Sequence, residues 1–133
     1  DHPVNMFVAG FIGSPSMNLI TAKLDGSSVT FGGSRLDLGT RPGLASYQGN
    51  AIVLGIRPED ITAAGDGVLE LTTNRVESLG SELVVYLDSG QPGVEMTARL
   101  ERRADVEEGK SARLAVDLER PYFFDPTTGD TLG

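Results

Sequence analysis

The chain contains no cysteine and one histidine, His2, beside its first residue. The first absence excludes a disulfide framework, thiolate catalysis and cysteine-based zinc sites, and it agrees with an intracellular protein. The second excludes metal centres built on several imidazoles and leaves Ser14, Ser81 and Ser111 without the usual base for nucleophilic catalysis. No apolar run approaches the ~18 residues that a membrane-spanning helix needs. Positive charge is also scarce. Eleven Lys and Arg against 19 Asp and Glu give a net charge of -8, and the pI is about 4.5. Such a surface repels nucleic acid and anionic lipid, because affinity for a polyanion comes mainly from phosphates neutralised by Lys and Arg. The one basic cluster, Arg99, Arg102 and Arg103, is surrounded by Glu95, Glu101, Asp105, Glu107 and Glu108.

What is present is the material of one ordinary domain. A chain of 133 residues with a mean hydropathy of -0.09 buries a single core. Its start, Asp1-His2-Pro3-Val4, has neither an initiator Met nor the layout of a signal peptide, and reads as an internal stretch of a longer protein. Residues 1–15 read as a helix: Pro3 suits the first turn, and Val4, Phe7, Val8, Phe11 and Ile12 fall along one side before Gly13-Ser14-Pro15 ends the element.

Beyond Pro15 the period shortens to two. Val94, Met96, Ala98 and Leu100 share one strand face, and Ala112, Leu114, Val116 and Leu118 share another. Weaker alternation marks Asn18 to Leu24, Ser28 to Phe31, Arg35 to Leu38, Ala51 to Arg57, Val68 to Ser78 and Glu82 to Asp88. Asp25-Gly26, Gly32-Gly33, Asp66-Gly67 and Ser89-Gly90 punctuate the runs. About eight short strands with such turns predict an all-β fold, a small barrel or sandwich over residues 16–133.

Motifs that could carry chemistry do not survive comparison with what the chemistry requires. Gly109-Lys110-Ser111 has the ending of a phosphate-binding loop, but the position of its first glycine is Ala104, and Asp105, Glu107 and Glu108 stand where phosphate would sit. It reads as a solvated turn. Gly65-Asp66-Gly67 lacks the third glycine of a dinucleotide loop, Glu70 standing in its place. Asp125-Pro-Thr-Thr-Gly-Asp130 lacks the ligand spacing of an EF-hand and reads as a turn between a strand at Tyr122-Phe123-Phe124 and a short one near Leu132. The pairs Glu59 with Asp60 and Glu107 with Glu108 are solvated neighbours without acid and base geometry. In Gly55-Ile56-Arg57-Pro58-Glu59-Asp60, proline removes a ladder donor and turns the chain, and Arg57 is placed to pair with Glu59 or Asp60. The residues thus offer no catalytic, cofactor-binding or metal site.

Four phrases, spread over nearly the whole chain, carry a resemblance. They are Asn5-Met-Phe-Val-Ala-Gly-Phe-Ile-Gly-Ser-Pro-Ser-Met-Asn18, Gly49 through Asp60, Val76-Glu-Ser-Leu-Gly-Ser-Glu82, and Phe123-Phe-Asp125 with Thr128-Gly129. Together they resemble the C-terminal regulatory region, the TOBE domain, of ATPase subunits from bacterial carbohydrate-type ABC importers: the maltose, multiple-sugar, trehalose and glycerol-phosphate branch. Tyr122 stands where that family commonly has histidine. The resemblance implies a barrel of the oligonucleotide-binding type preceded by a junction to a nucleotide-binding domain, with ATP and Mg held in that other domain. It implies a non-catalytic regulatory domain that forms a homodimer in the cytoplasm, at the inner face of the plasma membrane. The partners it implies are transmembrane permease subunits and, in some branches, a regulatory protein. Leu19, Gly49 and Gly55 match positions linked to partner contacts. Leu19 replaces the Phe common in the maltose branch, so a carbohydrate phosphotransferase partner is not implied. Related barrels in oxyanion importers make a small-anion-binding module the alternative, for which Ser14, Ser16 and Lys23 are the available groups. An oligonucleotide-binding barrel is the third reading, opposed by the charge.

Overall fold

A computed structural model describes residues 17–39, 41–63, 69–119 and 122–132. The helix expected over residues 1–15 and the turn at Asp66-Gly67 lie outside the described residues. The described residues form eleven strands: β1 (Asn18–Asp25), β2 (Ser28–Phe31), β3 (Ser34–Asp37), β4 (Ala51–Ile56), β5 (Ile61–Thr62), β6 (Leu69–Ser78), β7 (Glu82–Asp88), β8 (Glu95–Glu101), β9 (Ser111–Val116), β10 (Tyr122–Phe124) and β11 (Thr131–Leu132). All eight strands expected from alternation are present, as are the two short ones near the end of the chain. Two features had no signal. The two residues of β5 are too short to show a period, and Pro42–Tyr47 forms a 3-10 turn that buries only Leu44.

The strands form two antiparallel sheets, one in the order β11-β10-β4-β1-β2-β3 and the other β5-β9-β6-β7-β8. In the second, β5 lies against β8, so the sheet nearly closes on itself as a small barrel. A bulge between Thr73 and Arg75 lets β6 pair with β9 through its first half and with β7 through its second. That change of partner bends the sheet into a barrel.

Alternation sends Ile20, Ala22 and Leu24 of β1, Ile52, Leu54 and Ile56 of β4, and Phe123 of β10 into the same core as Leu87, Met96, Ala98 and Leu114 of the barrel. Met96, Ala98, Leu100, Ala112 and Leu114 are buried, as their strand faces predicted, while Val94, Val116 and Leu118 are half-buried around the rim. The buried Asn18 side chain links the sheets. Asn18 Nδ2 donates to the carbonyls of Ile56 (3.1 Å) and Thr97 (2.8 Å), and its Oδ1 accepts from the Thr97 N–H (2.7 Å). The amide thus completes the free edge of β8 as a neighbouring strand would.

Candidate functional site

The same alternation that fills the core leaves a second apolar surface on the opposite face of β1, β4 and β10. Val53, Tyr122 and Phe124 form it, with Met17 and Leu19 packed against them. The register explains the grouping. Leu19 lies opposite Gly55 on one side and Tyr122 lies opposite Gly55 on the other, so the three form a row across three strands. Gly55 has no side chain because its neighbours occupy the space: an added Cβ would fall on Met17 Sδ and lie 3.0 Å from the Phe124 ring and 3.2 Å from Tyr122 Cβ.

Two of the three positions matched to partner contacts, Leu19 and Gly55, therefore meet on this face. Gly49 does not join them. It precedes β4 by two residues, with φ +78 and open space around it, and its N–H donates to the Leu24 carbonyl at 2.9 Å. Glycine at 49 serves a left-handed turn, whereas glycine at 55 serves a close approach.

Arg57 closes one edge of the face. Its Nη2 donates to the Tyr122 hydroxyl at 3.0 Å, and its guanidinium carbon lies 5.2 Å from the centre of the Tyr122 ring. That hydrogen bond is the main reason its pKa is raised, with Glu59 and Asp60 adding smaller contributions through charge. The hydrogen-bonded partner is thus a residue 65 positions away instead of an immediate neighbour. Pro58–Asp60 forms the expected corner as a 3-10 turn.

The polar motifs are committed to structure. Asp125 Oδ2 accepts from the Tyr47 hydroxyl at 2.6 Å, while Oδ1 accepts from the N–H groups of Thr127 (2.7 Å) and Thr128 (2.8 Å). Those bonds, the one from Tyr47 first, hold the Asp125 carboxyl below its usual range, and the same contact raises the Tyr47 pKa. At the phosphate-loop echo, the Gly109 N–H donates to the Thr73 carbonyl (2.7 Å) and the Lys110 N–H to the Glu107 carbonyl (3.1 Å), so neither faces a ligand. Arg99, in the basic cluster, is paired with Glu82. An open cleft of about 460 Å³ runs beside the loop joining β7 to β8, and its ionisable lining, Asp88 and Glu95, has the wrong sign for an anion.

Two antiparallel sheets around one core, one of them curled into a five-stranded barrel and flanked by an outer apolar face, define a barrel of the oligonucleotide-binding class. The chain belongs to the TOBE domain family, whose pattern matches residues 54–124, and the MalK OB fold domain matches residues 13–61. Its relatives are the ATP-binding subunits of ABC importers for sugars and related solutes. It is 36% identical to the trehalose/maltose import ATP-binding protein MalK of Thermococcus litoralis, over 99% of this chain and 38% of that protein. It is 37% identical to the xylose/arabinose import ATP-binding protein XacK of Haloferax volcanii, over 98% of this chain and 36% of that protein. With the oligosaccharides import ATP-binding protein MsmX of Bacillus subtilis it shares 33% identity, over 96% of this chain and 38% of that protein. The chain thus spans little more than a third of the length of these relatives. Among solved structures, the cytoplasmic molybdate-binding protein ModG, with molybdate bound, superposes with a TM-score of 0.64 over 87% of this chain and 99% of that one. At 17% identity this likeness is one of fold.

Proposed function

We propose that this chain is the non-catalytic regulatory and dimerisation domain of an ABC importer ATPase subunit for sugars or a related solute. Residues 1–15 form its junction to a nucleotide-binding domain, and residues 16–133 its regulatory barrel. The observation that carries this reading is the position of Leu19 and Gly55: opposite one another on an apolar face outside the barrel core. Such a domain binds no ATP or Mg of its own. It acts by holding two ATPase portions at high effective concentration while they open and close, a linkage that raises avidity by roughly 10²–10⁴-fold without any new contact at the ATP site. The working place of this assembly is the cytoplasmic face of the membrane, on permease subunits, where the barrel also offers a surface to a regulatory protein.

The test compares ATP hydrolysis by the longer protein with and without residues 17–133 across protein concentration. The expected result is that removing the barrel moves the onset of hydrolysis to concentrations at least 10² higher. An onset that does not move would overturn the proposal.

A further inference from the structure

The hairpin of β6 and β7 runs past the start of β9. The β9 ladder on β6 stops at Thr72 with Ser111, and two more backbone bonds follow, from the Thr73 N–H to the Lys110 carbonyl (2.8 Å) and from the Gly109 N–H to the Thr73 carbonyl (2.7 Å). Beyond them, among the described residues, β6 has a strand on one side only. The Leu79 N–H donates to the Glu82 carbonyl at 2.8 Å. By the alternation of an antiparallel ladder, Glu77 and Arg75 therefore bond to β7, while Val76 and Ser78 turn their N–H and C=O groups outward. Among the described residues one group bonds to that edge from outside: Glu108, whose Oε2 accepts from the Val76 N–H at 3.0 Å. An open strand edge is a template for another strand, and here a single exposed side chain stands in the way.

The residues beside the edge carry opposite charges two positions apart. Arg75 and Glu77 are exposed and flank Tyr86: the Arg75 guanidinium carbon lies 4.1 Å from the centre of the Tyr86 ring, and Glu77 Oε1 accepts from the Tyr86 hydroxyl at 2.6 Å. The ion pairs formed among the described residues, Arg99 with Glu82 and Arg113 with Glu70, include neither. We propose that this edge of β6 receives the same edge of a second copy of the chain, and that Glu108 restrains the pairing. Antiparallel pairing about a two-fold axis at Val76 exchanges two hydrogen bonds between the Val76 backbones and sets each Arg75 directly opposite the partner's Glu77. The neighbouring registers lack this match: an axis at Glu77 puts the two Glu77 carboxylates face to face, and one at Ser78 puts Glu77 opposite Leu79. Charge thus selects one register and one occupant, a chain of this same sequence. Glu108 and the partner's carbonyl compete for the same Val76 N–H.

This inference rests on the dimerisation reading above and gives that dimer a contact surface with its own restraint. Two hydrogen bonds and two ion pairs are few beside a standard interface, so the contact forms at high local concentration, such as two linked ATPase portions would create, and reopens readily.

The test is sedimentation equilibrium of the whole 133-residue chain and four variants. Glu108→Ala frees the Val76 N–H and should tighten association at least about tenfold, while Glu107→Ala, which removes the same charge from an exposed neighbour, should tighten it far less. Arg75→Glu and Glu77→Arg should each weaken association, and an equal mixture of the two, in which every opposed pair is again of opposite sign, should restore it to the parent level. Equal effects of Glu108→Ala and Glu107→Ala, or a mixture no tighter than its components, would overturn the inference. If the parent chain forms a dimer that ignores all four substitutions, this edge is not its interface and the dimerisation reading stands. If the parent and Glu108→Ala are both monomers at every concentration, both fall.

Discussion

Asn18→Ala tests how the two sheets are joined. The substitution removes three hydrogen bonds, to the Ile56 carbonyl and to both backbone groups of Thr97. A net value of about 1 kcal/mol for each gives a loss of about 3 kcal/mol. Water recovers part of this, because Thr97 is half-buried, but the Asn18 site is only 8% exposed. For a domain of this size the loss corresponds to a fall in Tm of about 10 °C. Urea unfolding measures the free energy, and hydrogen exchange locates it: the Thr97 amide should lose protection before that of Ala98, which alternation turns towards β7. Asn18→Asp adds a check. Its carboxylate still accepts from the Thr97 N–H but places negative charge against two carbonyls, so its deficit relative to the parent should be larger at pH 7 than at pH 4. A loss under 1 kcal/mol for Asn18→Ala, with Thr97 protection unchanged, would refute the bridging role.

The outer face and the Tyr47 contact yield two more predictions. Gly55→Val should cost about 1–3 kcal/mol through overpacking against Met17 and Phe124, whereas Gly49→Ala, in open space, should cost only the 1–2 kcal/mol of a left-handed backbone; Met17 methyl shifts, moved by the first and untouched by the second, distinguish the two causes. The lowered Asp125 pKa means that its contribution to stability is present above the unfolded value, near 4, and is lost as pH falls through the folded one; the raised Tyr47 pKa means that its own contribution is present below about 10 and is lost as pH rises further. Tyr47→Phe should therefore move the Asp125 carboxyl titration, followed by 13C NMR, upward and flatten the acid limb of the stability profile; an unmoved titration would show that the two threonine amides suffice.

The strands were legible because period-two alternation and glycine-bearing turns are local signals, and a half-buried sheet enforces both. What depends on two distant strands meeting was not legible. Leu19 and Gly55 are paired by the register of β1 on β4, which nothing near either residue announces. Arg57 has acidic neighbours in sequence, so a local ion pair was the natural expectation; β10 instead settles beside β4 and brings the Tyr122 hydroxyl to it. Asn18 stood at the start of an expected strand and in an identifying phrase, and its bridging role exists only once the edge of β8 faces β1. The outer face was likewise hidden, because Val53 and Gly55 of β4 join Tyr122 and Phe124 only through the register of β10 on β4.

Sedimentation equilibrium of the intact 133-residue chain, over a wide concentration range and at two salt concentrations, tests the central claim of a regulatory dimerisation domain most directly. The predicted result is reversible association that ends at a dimer and is strengthened by salt, since each copy carries a net charge of -8. A folded monomer at every concentration and both salt levels would contradict it.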